Sequence, residues 1–173
     1  MEHSGPYRPR AEQDLRPLYI EGYADQLSYQ AGEVVQLHVS TSAPVFALEV
    51  ARIGAQREVV WREEGLKGAA YDIPEEASAQ GCGWPVAHGF TVGDDWRSGY
   101  YEATLAVADG GGGFTHWSNR QAAGMLHFAV RSSRPGRDAK ILLQLATNTY
   151  NAYNNWGGYG LYAYHGRGKV QGH

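Results

Sequence analysis

Residues 34–53 read VVQLHVSTSAPVFALEVARI, and this stretch decides the fold of most of the chain. Apolar and polar residues alternate along 34–40 and again along 46–53. Alternation with a period of two is typical of strands that bury one face. Another strand-forming run, 57–61, follows a turn that contains glycine. We therefore predict that the second and third runs form a β-hairpin.

Other short runs of strand-forming residues lie on both sides of this hairpin. They cover residues 18–29, 90–92, 100–107 and 125–130. No amphipathic helical period occurs before residue 139. Short strands at this spacing predict a mainly β fold, an immunoglobulin-like antiparallel β-sandwich over residues 18–131. Residues 62–82 are predicted to be a long loop, Asp94-Asp95 a turn, and the glycine run 110–113 a flexible loop.

Three segments lie outside the predicted sandwich. Residues 1–17 are proline-rich and charged and predict a mobile arm, and the polar residues 132–138 predict a linker. The apolar run ILLQLA at 141–146 predicts a fully buried strand, and the polar, aromatic segment after it predicts a loop at that strand's end. Residues 139–173 are therefore predicted to begin an incomplete α/β domain. Alone, this segment is expected to be disordered, docked on the sandwich or completed by another chain.

Composition argues against several classes of partner. The net charge is −3, with no long block of lysine or arginine, so nucleic acid and anionic membranes are not expected as partners. No apolar run reaches the roughly 18 residues of a membrane span. The N-terminus lacks the apolar centre of a secretory signal. With one cysteine, the chain is expected in the reducing cytoplasm.

The histidines and the cysteine give no catalytic signal. None of the seven histidines has the spacing of a metal-binding pair. His38 and His127 lie in alternating strands and are predicted to face outward or to be satisfied core groups. Cys82 has no neighbouring base and is predicted to be a buried structural thiol rather than a nucleophile. The acidic pairs Glu63-Glu64 and Glu75-Glu76 are predicted to be solvated.

The tyrosine-rich segment after residue 146 leaves two interpretations open. Tyr150 and Tyr153 share a face if residues 149–155 form a helical turn. In the first interpretation, these tyrosines are packing or interface residues, whose rings are buried while their hydroxyls contact solvent. Alternatively, a strongly acidic cation would stabilise tyrosine phenolates, which are hard anionic donors.

Three pieces of the chain resemble the large (catalytic) subunit of N,N-dimethylformamidase and its relatives. They are GYADQLSYQAGEVVQLHVST at 22–41, GCGWPVAHGFTVGDDWRSGYYEATL at 81–105 and AKILLQLATNTYNAYNNWGGYGLYAYHGRG at 139–168. The resemblance implies the N-terminal sandwich portion plus the start of the catalytic domain. It also implies hydrolysis of a formamide or related amide, with a mononuclear iron held by two tyrosine phenolates and a glutamate.

Carried over onto this chain, the resemblance places the two phenolates on Tyr153 and Tyr164. The glutamate would lie beyond His173, so the third ligand is expected outside this chain. His165 and Asn154, beside the metal ligands, are candidates for orienting water, and no catalytic residue is assigned. The loop between the two tyrosines is short and the β-rich insert of the formamidase is missing. The substrate therefore need not be dimethylformamide.

The expected function is that of part of an amide hydrolase that is inactive as this chain alone. Its expected partners are the rest of the catalytic domain or another chain, a second copy in a homo-oligomer, and a small amide substrate. A non-catalytic sandwich that binds carbohydrate or peptide through Trp156, Tyr159 and Tyr162 is the alternative. A structural or oligomerisation domain is the third interpretation.

Overall fold

A computed structural model describes residues 18–108, 121–138 and 140–162. The strands in these ranges are β1 Ile20–Ala24, β2 Ser28–Tyr29, β3 Val34–Thr41, β4 Val45–Ile53, β5 Arg57–Lys67, β6 Val86–Thr91, β7 Gly99–Ala108 and β8 Gln121–Val130. The helices are α1 Ala77–Gln80 and α2 Thr147–Tyr153, followed by a 3₁₀ turn at Trp156–Gly158. Among the described residues, no helix has the length and apolar character needed to cross a membrane.

The strands form two sheets, as the alternating pattern predicts. One has the order β1-β3-β6, and the other has the order β2-β8-β7-β4-β5. All strand pairs are antiparallel except β2 with β8, which is parallel. The predicted hairpin is confirmed as β4 and β5. However, β5 continues to Lys67, so Glu63 and Glu64 lie in a strand and not in the predicted loop.

The core lies between the inner faces of the two sheets. Every second residue along β3, β4 and β7 is buried, as expected for strands with one wet face. Phe128 of β8 is fully buried, with ring centroids 5.7 Å from Tyr101 and 5.5 Å from Tyr29. Burial of these large rings supplies much of the driving force for folding.

Tyr101 ties the start of β7 to the turn before it. Its hydroxyl donates a hydrogen bond to the Arg97 carbonyl, 2.6 Å away, and its ring stacks on Trp96. Burial raises the pKa of Tyr101 to about 12, so it keeps its proton and remains a donor. A tyrosine at this place, bonded to the backbone a few residues upstream, is a feature of immunoglobulin-like sandwiches. The sandwich class predicted from the strand pattern is thus confirmed.

The prediction of a buried strand at 141–146 is wrong for this structure. The segment has no regular secondary structure, and Ile141, Leu142 and Leu143 are 88%, 92% and 64% exposed. A strand of a parallel sheet needs hydrogen-bonding neighbours and cover on both faces, and the described residues provide neither there. The predicted mobile arm at 1–17 and the glycine run at 110–113 lie outside the described residues.

We predict that Tyr101→Phe lowers the free energy of unfolding by about 1–2 kcal/mol, because the Arg97 carbonyl loses its donor. Urea denaturation followed by fluorescence measures the change. Tyr100→Phe is the matched control, because Tyr100 neighbours Tyr101 but makes no hydrogen bond through its hydroxyl to any described residue. Equal losses in the two variants would contradict a structural role for the Tyr101 hydroxyl.

Candidate functional site

Residues 147–161, which we call the docked segment, pack on the sandwich through aromatic rings. The ring centroid of Trp156, in the 3₁₀ turn, lies 5.2 Å from that of Trp84 and 6.1 Å from that of Tyr23. Tyr23 stacks on His38 across β1 and β3, with centroids 4.8 Å apart. We call these four side chains the aromatic cluster. It joins the 3₁₀ turn to β1, to β3 and to the loop before β6.

Hydrogen bonds fix the position of Trp84 at the centre of this cluster. Its indole N–H donates to the Asp72 carbonyl, 2.8 Å away, and its backbone N–H donates to the Tyr23 hydroxyl, 3.2 Å away. The Trp84 carbonyl lies 2.6 Å from His38 Nδ1, which must carry the proton because a carbonyl only accepts. Burial, partly opposed by the bond from Trp84, raises the pKa of Tyr23. His38 is thus a satisfied group, as predicted.

Gly157 allows the 3₁₀ turn to approach the backbone before α1. Its φ is +85°, and a Cβ atom there would lie 2.8 Å from the Glu75 carbonyl oxygen and 3.0 Å from that of Pro74. Side chains rarely adopt this backbone conformation, and there is no room for one. Glycine is therefore required for the turn to dock.

A second contact joins α2 to the outer face of the larger sheet. The His127 ring lies between Tyr150 and Tyr100, at centroid distances of 4.7 Å and 5.5 Å. Burial lowers the pKa of His127, and its Nε2 has no hydrogen-bond partner among the described residues. Glu102 lies opposite His127 on β7, and its Oε1 atom is 3.8 Å from Arg57 Nε. His127 is therefore neutral in the folded state near pH 7.

The structure places one of the two predicted metal ligands. Tyr153 is the last residue of α2, is half-exposed, and packs on Tyr162 with ring centroids 4.9 Å apart. The predicted helical turn is thus confirmed. Tyr164 and His165 lie outside the described residues. Asn154 follows Tyr153 directly, and its Oδ1 accepts a hydrogen bond from the Trp156 backbone N–H at 2.9 Å.

Trp156 and Tyr159 are brought together in the wall of one cleft, whereas Tyr162 packs on Tyr153 instead. The cleft has a volume of about 460 Å³ and lies between α1 and the docked segment. Its other polar lining comes from Ser78, Asn148, Asn151 and Asn154. Sequence analysis missed Asn148 and Asn151. Asn148, Asn151 and Asn154 follow one another at intervals of three residues. This spacing could have indicated a shared face, because a helix brings positions three residues apart together.

Among the described residues, neither a cluster of ionisable side chains nor Cys82 supplies a reactive group. The described residues contain no group of three or more histidine, cysteine, aspartate or glutamate side chains that could hold a metal ion. Cys82 is buried, and burial, with a smaller contribution from Glu21, raises the pKa of its thiol. A protonated, buried thiol is a poor nucleophile, in agreement with the predicted structural role.

The structure is that of an immunoglobulin-like sandwich domain. Its candidate site is built from the docked segment, which is rich in aromatic residues and asparagine. The chain belongs to the family described as N,N-dimethylformamidase beta subunit-like, C-terminal, whose sequence model matches residues 47–173. The matched range includes β5 to β8, the docked segment, Tyr153 and Tyr164. The resemblance inferred from the sequence is thus confirmed for the family. A comparison with curated proteins gives no match.

We predict that Gly157→Ala weakens docking of the segment by about 1–3 kcal/mol, because alanine combines backbone strain with a clash. Limited proteolysis with chymotrypsin should then cut after Tyr150 and Tyr153 about tenfold faster. Thermal unfolding of the sandwich should change little.

Gly136→Ala is the matched control for the glycine variant. Gly136 has a φ of +80°, but a Cβ atom there meets nothing within 4 Å. It therefore carries the same backbone strain without the clash. If both variants are digested at the same rate, close packing of the turn at Gly157 is refuted.

We predict that the free energy of unfolding decreases as the pH falls below about 6.5, the ordinary pKa of histidine. The unfolded chain binds a proton at residue 127 in this range, whereas burial keeps folded His127 neutral until a lower pH. Urea denaturation at pH 7.5, 6.5 and 5.5 measures the decrease. His127→Phe keeps a ring between the tyrosines and should show a smaller decrease. An unchanged pH dependence in that variant would contradict the assignment.

Proposed function

We propose that this chain is part of an iron-assisted amide hydrolase of the dimethylformamidase type. The observation that carries the proposal is the family match through residues 47–173, which includes the segment that bears both candidate phenols. The structure adds that Tyr153 stands half-exposed at the end of a helix docked on a rigid sandwich. A phenol held in this way can act as a ligand without a large rearrangement.

The chemistry of the donors suits ferric iron. Phenolates are hard anionic oxygen donors, and a trivalent cation favours their deprotonated form. We assign Tyr153 and Tyr164 as the two phenolates, and the resemblance implies a carboxylate as the third ligand. Bound iron would supply a Lewis acid that polarises the amide carbonyl and lowers the pKa of water.

The chain's own residues would position these groups. α2 sets the direction of Tyr153, and the Tyr162 ring restricts its rotation. The Asn154 amide carbonyl is committed to the Trp156 backbone, which leaves its side-chain NH₂ to orient water. The packing of Trp156 holds this whole segment against the sandwich. We propose that His165 assists in orienting water.

We propose that a further polypeptide completes the site and covers residues 141–143. Three consecutive large apolar side chains that are mostly exposed are unusual on a soluble surface. The family description names a beta subunit, which supports an assembly of chains. We therefore expect no hydrolysis of dimethylformamide by this chain alone.

The subunit and the domains to which this chain corresponds are part of the same proposal. We assign the chain to the large, catalytic subunit. Residues 18–131 would be its sandwich, 132–138 a linker and 139–173 the start of the catalytic α/β domain. The exposed apolar run beyond the linker supports a domain that continues outside the sandwich.

A carbohydrate-binding role receives less support from the structure. A sugar platform needs a flat, open aromatic face. Trp156 instead packs on Trp84 and Tyr23, and Tyr162 packs on Tyr153. Two of the three rings predicted to stack on a sugar, Trp156 and Tyr162, thus pack on other rings of the protein, whereas Tyr159 lines the cleft.

We predict that ferric iron, added as its nitrilotriacetate complex with acetate to supply a carboxylate, gives the chain a visible phenolate-to-iron absorption band. Tyr153→Phe and Tyr164→Phe should each remove most of the band, because each variant deletes a ligand. Absorbance titration measures the loss.

Tyr150→Phe is the matched control for the iron titration. Tyr150 lies on the same helix and is 48% exposed, against 51% for Tyr153. It should therefore leave the band unchanged. A colourless wild-type mixture, or equal losses at positions 150 and 153, would refute the proposed ligands.

A further inference from the structure

We infer that the cleft between α1 and the docked segment is a binding site for a neutral carboxamide that is larger than formamide. The choice of a carboxamide rests in part on the proposed amide hydrolase function. The cleft would hold a part of the substrate that lies beyond the bond to be cleaved, since Tyr153 does not line it.

The first argument is the absence of charge in the cleft. Its lining consists of alanine, glycine, serine, asparagine, leucine, tyrosine and tryptophan residues. None of these described side chains is an acid, a lysine or an arginine. A charged ligand would lose part of its hydration on binding and would find no opposite charge in these walls. The cleft therefore favours a neutral ligand.

The second argument is the hydrogen-bonding capacity along α2. The side chains of Asn148 and Asn151 make no hydrogen bond to any described residue. Each carboxamide offers two N–H donors and one carbonyl acceptor. A ligand carboxamide has the same groups and can form a paired donor–acceptor contact with either side chain. An ester or a carboxylate lacks the donor.

The third argument is the size and rigidity of the apolar part of the cleft. Trp156 and Leu161 line it. The position of the Trp156 ring is fixed by its packing on Trp84. A backbone hydrogen bond from the Leu161 N–H to the Ala152 carbonyl, 3.2 Å long, closes the segment on itself. A volume of about 460 Å³ lies in the range of ligand sites and exceeds what formamide fills. The ligand therefore carries an apolar or aromatic substituent.

Benzamide is the test probe, used with the iron-free, isotopically labelled full chain. NMR titration should show saturable shifts of the side-chain NH₂ signals of Asn148 and Asn151. Benzoate, which has the same shape but is charged and lacks the donor, should bind at least about tenfold more weakly. Asn151→Leu should weaken benzamide binding by about tenfold.

Two variants control the benzamide test. Asn155→Leu removes a neighbouring amide that lines a different cleft, so it should leave the affinity unchanged. Asn148→Leu provides a second deletion if Asn151→Leu does not fold, and near-ultraviolet circular dichroism checks folding of each variant.

Three results would overturn the inference. They are equal binding of benzoate and benzamide, unchanged affinity in the folded asparagine variants, and shifts of the same signals by cellobiose but not by benzamide. The iron-free condition separates this test from that of the proposed function. A failed iron titration leaves the benzamide result valid, and a failed benzamide titration leaves the phenolate ligands unaffected.

Discussion

The packing of Trp156 on Trp84 and Tyr23 is the contact on which the candidate site depends. α2 has only seven residues, and a helix of that length is not stable alone in water. Its order must therefore come from tertiary contacts, and the aromatic cluster together with the His127 contact supplies them. Without this docking, neither the position of Tyr153 nor the asparagine-lined cleft would be defined.

The sandwich contributes rigidity rather than chemistry. Its two sheets bury a continuous core, and hydrogen bonds from its strands and loops hold Trp84 and Tyr23 in place. The polar and aromatic groups that the proposed chemistry uses lie C-terminal to the sandwich. This division explains why a mainly β domain can belong to a dimethylformamidase-like family while His38 and Cys82 have structural surroundings.

Sequence patterns predicted the parts of the structure that local periodicity controls. Alternation along β3 and β4 specified which residues enter the core, and Tyr150 and Tyr153 were correctly placed on a helical turn. The strand at 141–146 was wrong because burial of an apolar run requires partners that the described residues lack. The role of Trp84 was missed because its contact with Trp156 joins positions far apart in the chain. Such a contact leaves no local pattern.

Amide hydrogen exchange in the full chain tests the docking most directly. The account predicts that the amide protons of Asn154 and Leu161, which donate to the Tyr150 and Ala152 carbonyls, exchange at least about tenfold more slowly than in a free peptide. Trp156→Ala should abolish this protection while the amides of β7 and β8 stay protected. Free-peptide exchange rates throughout residues 147–161 of the wild-type chain would contradict the account.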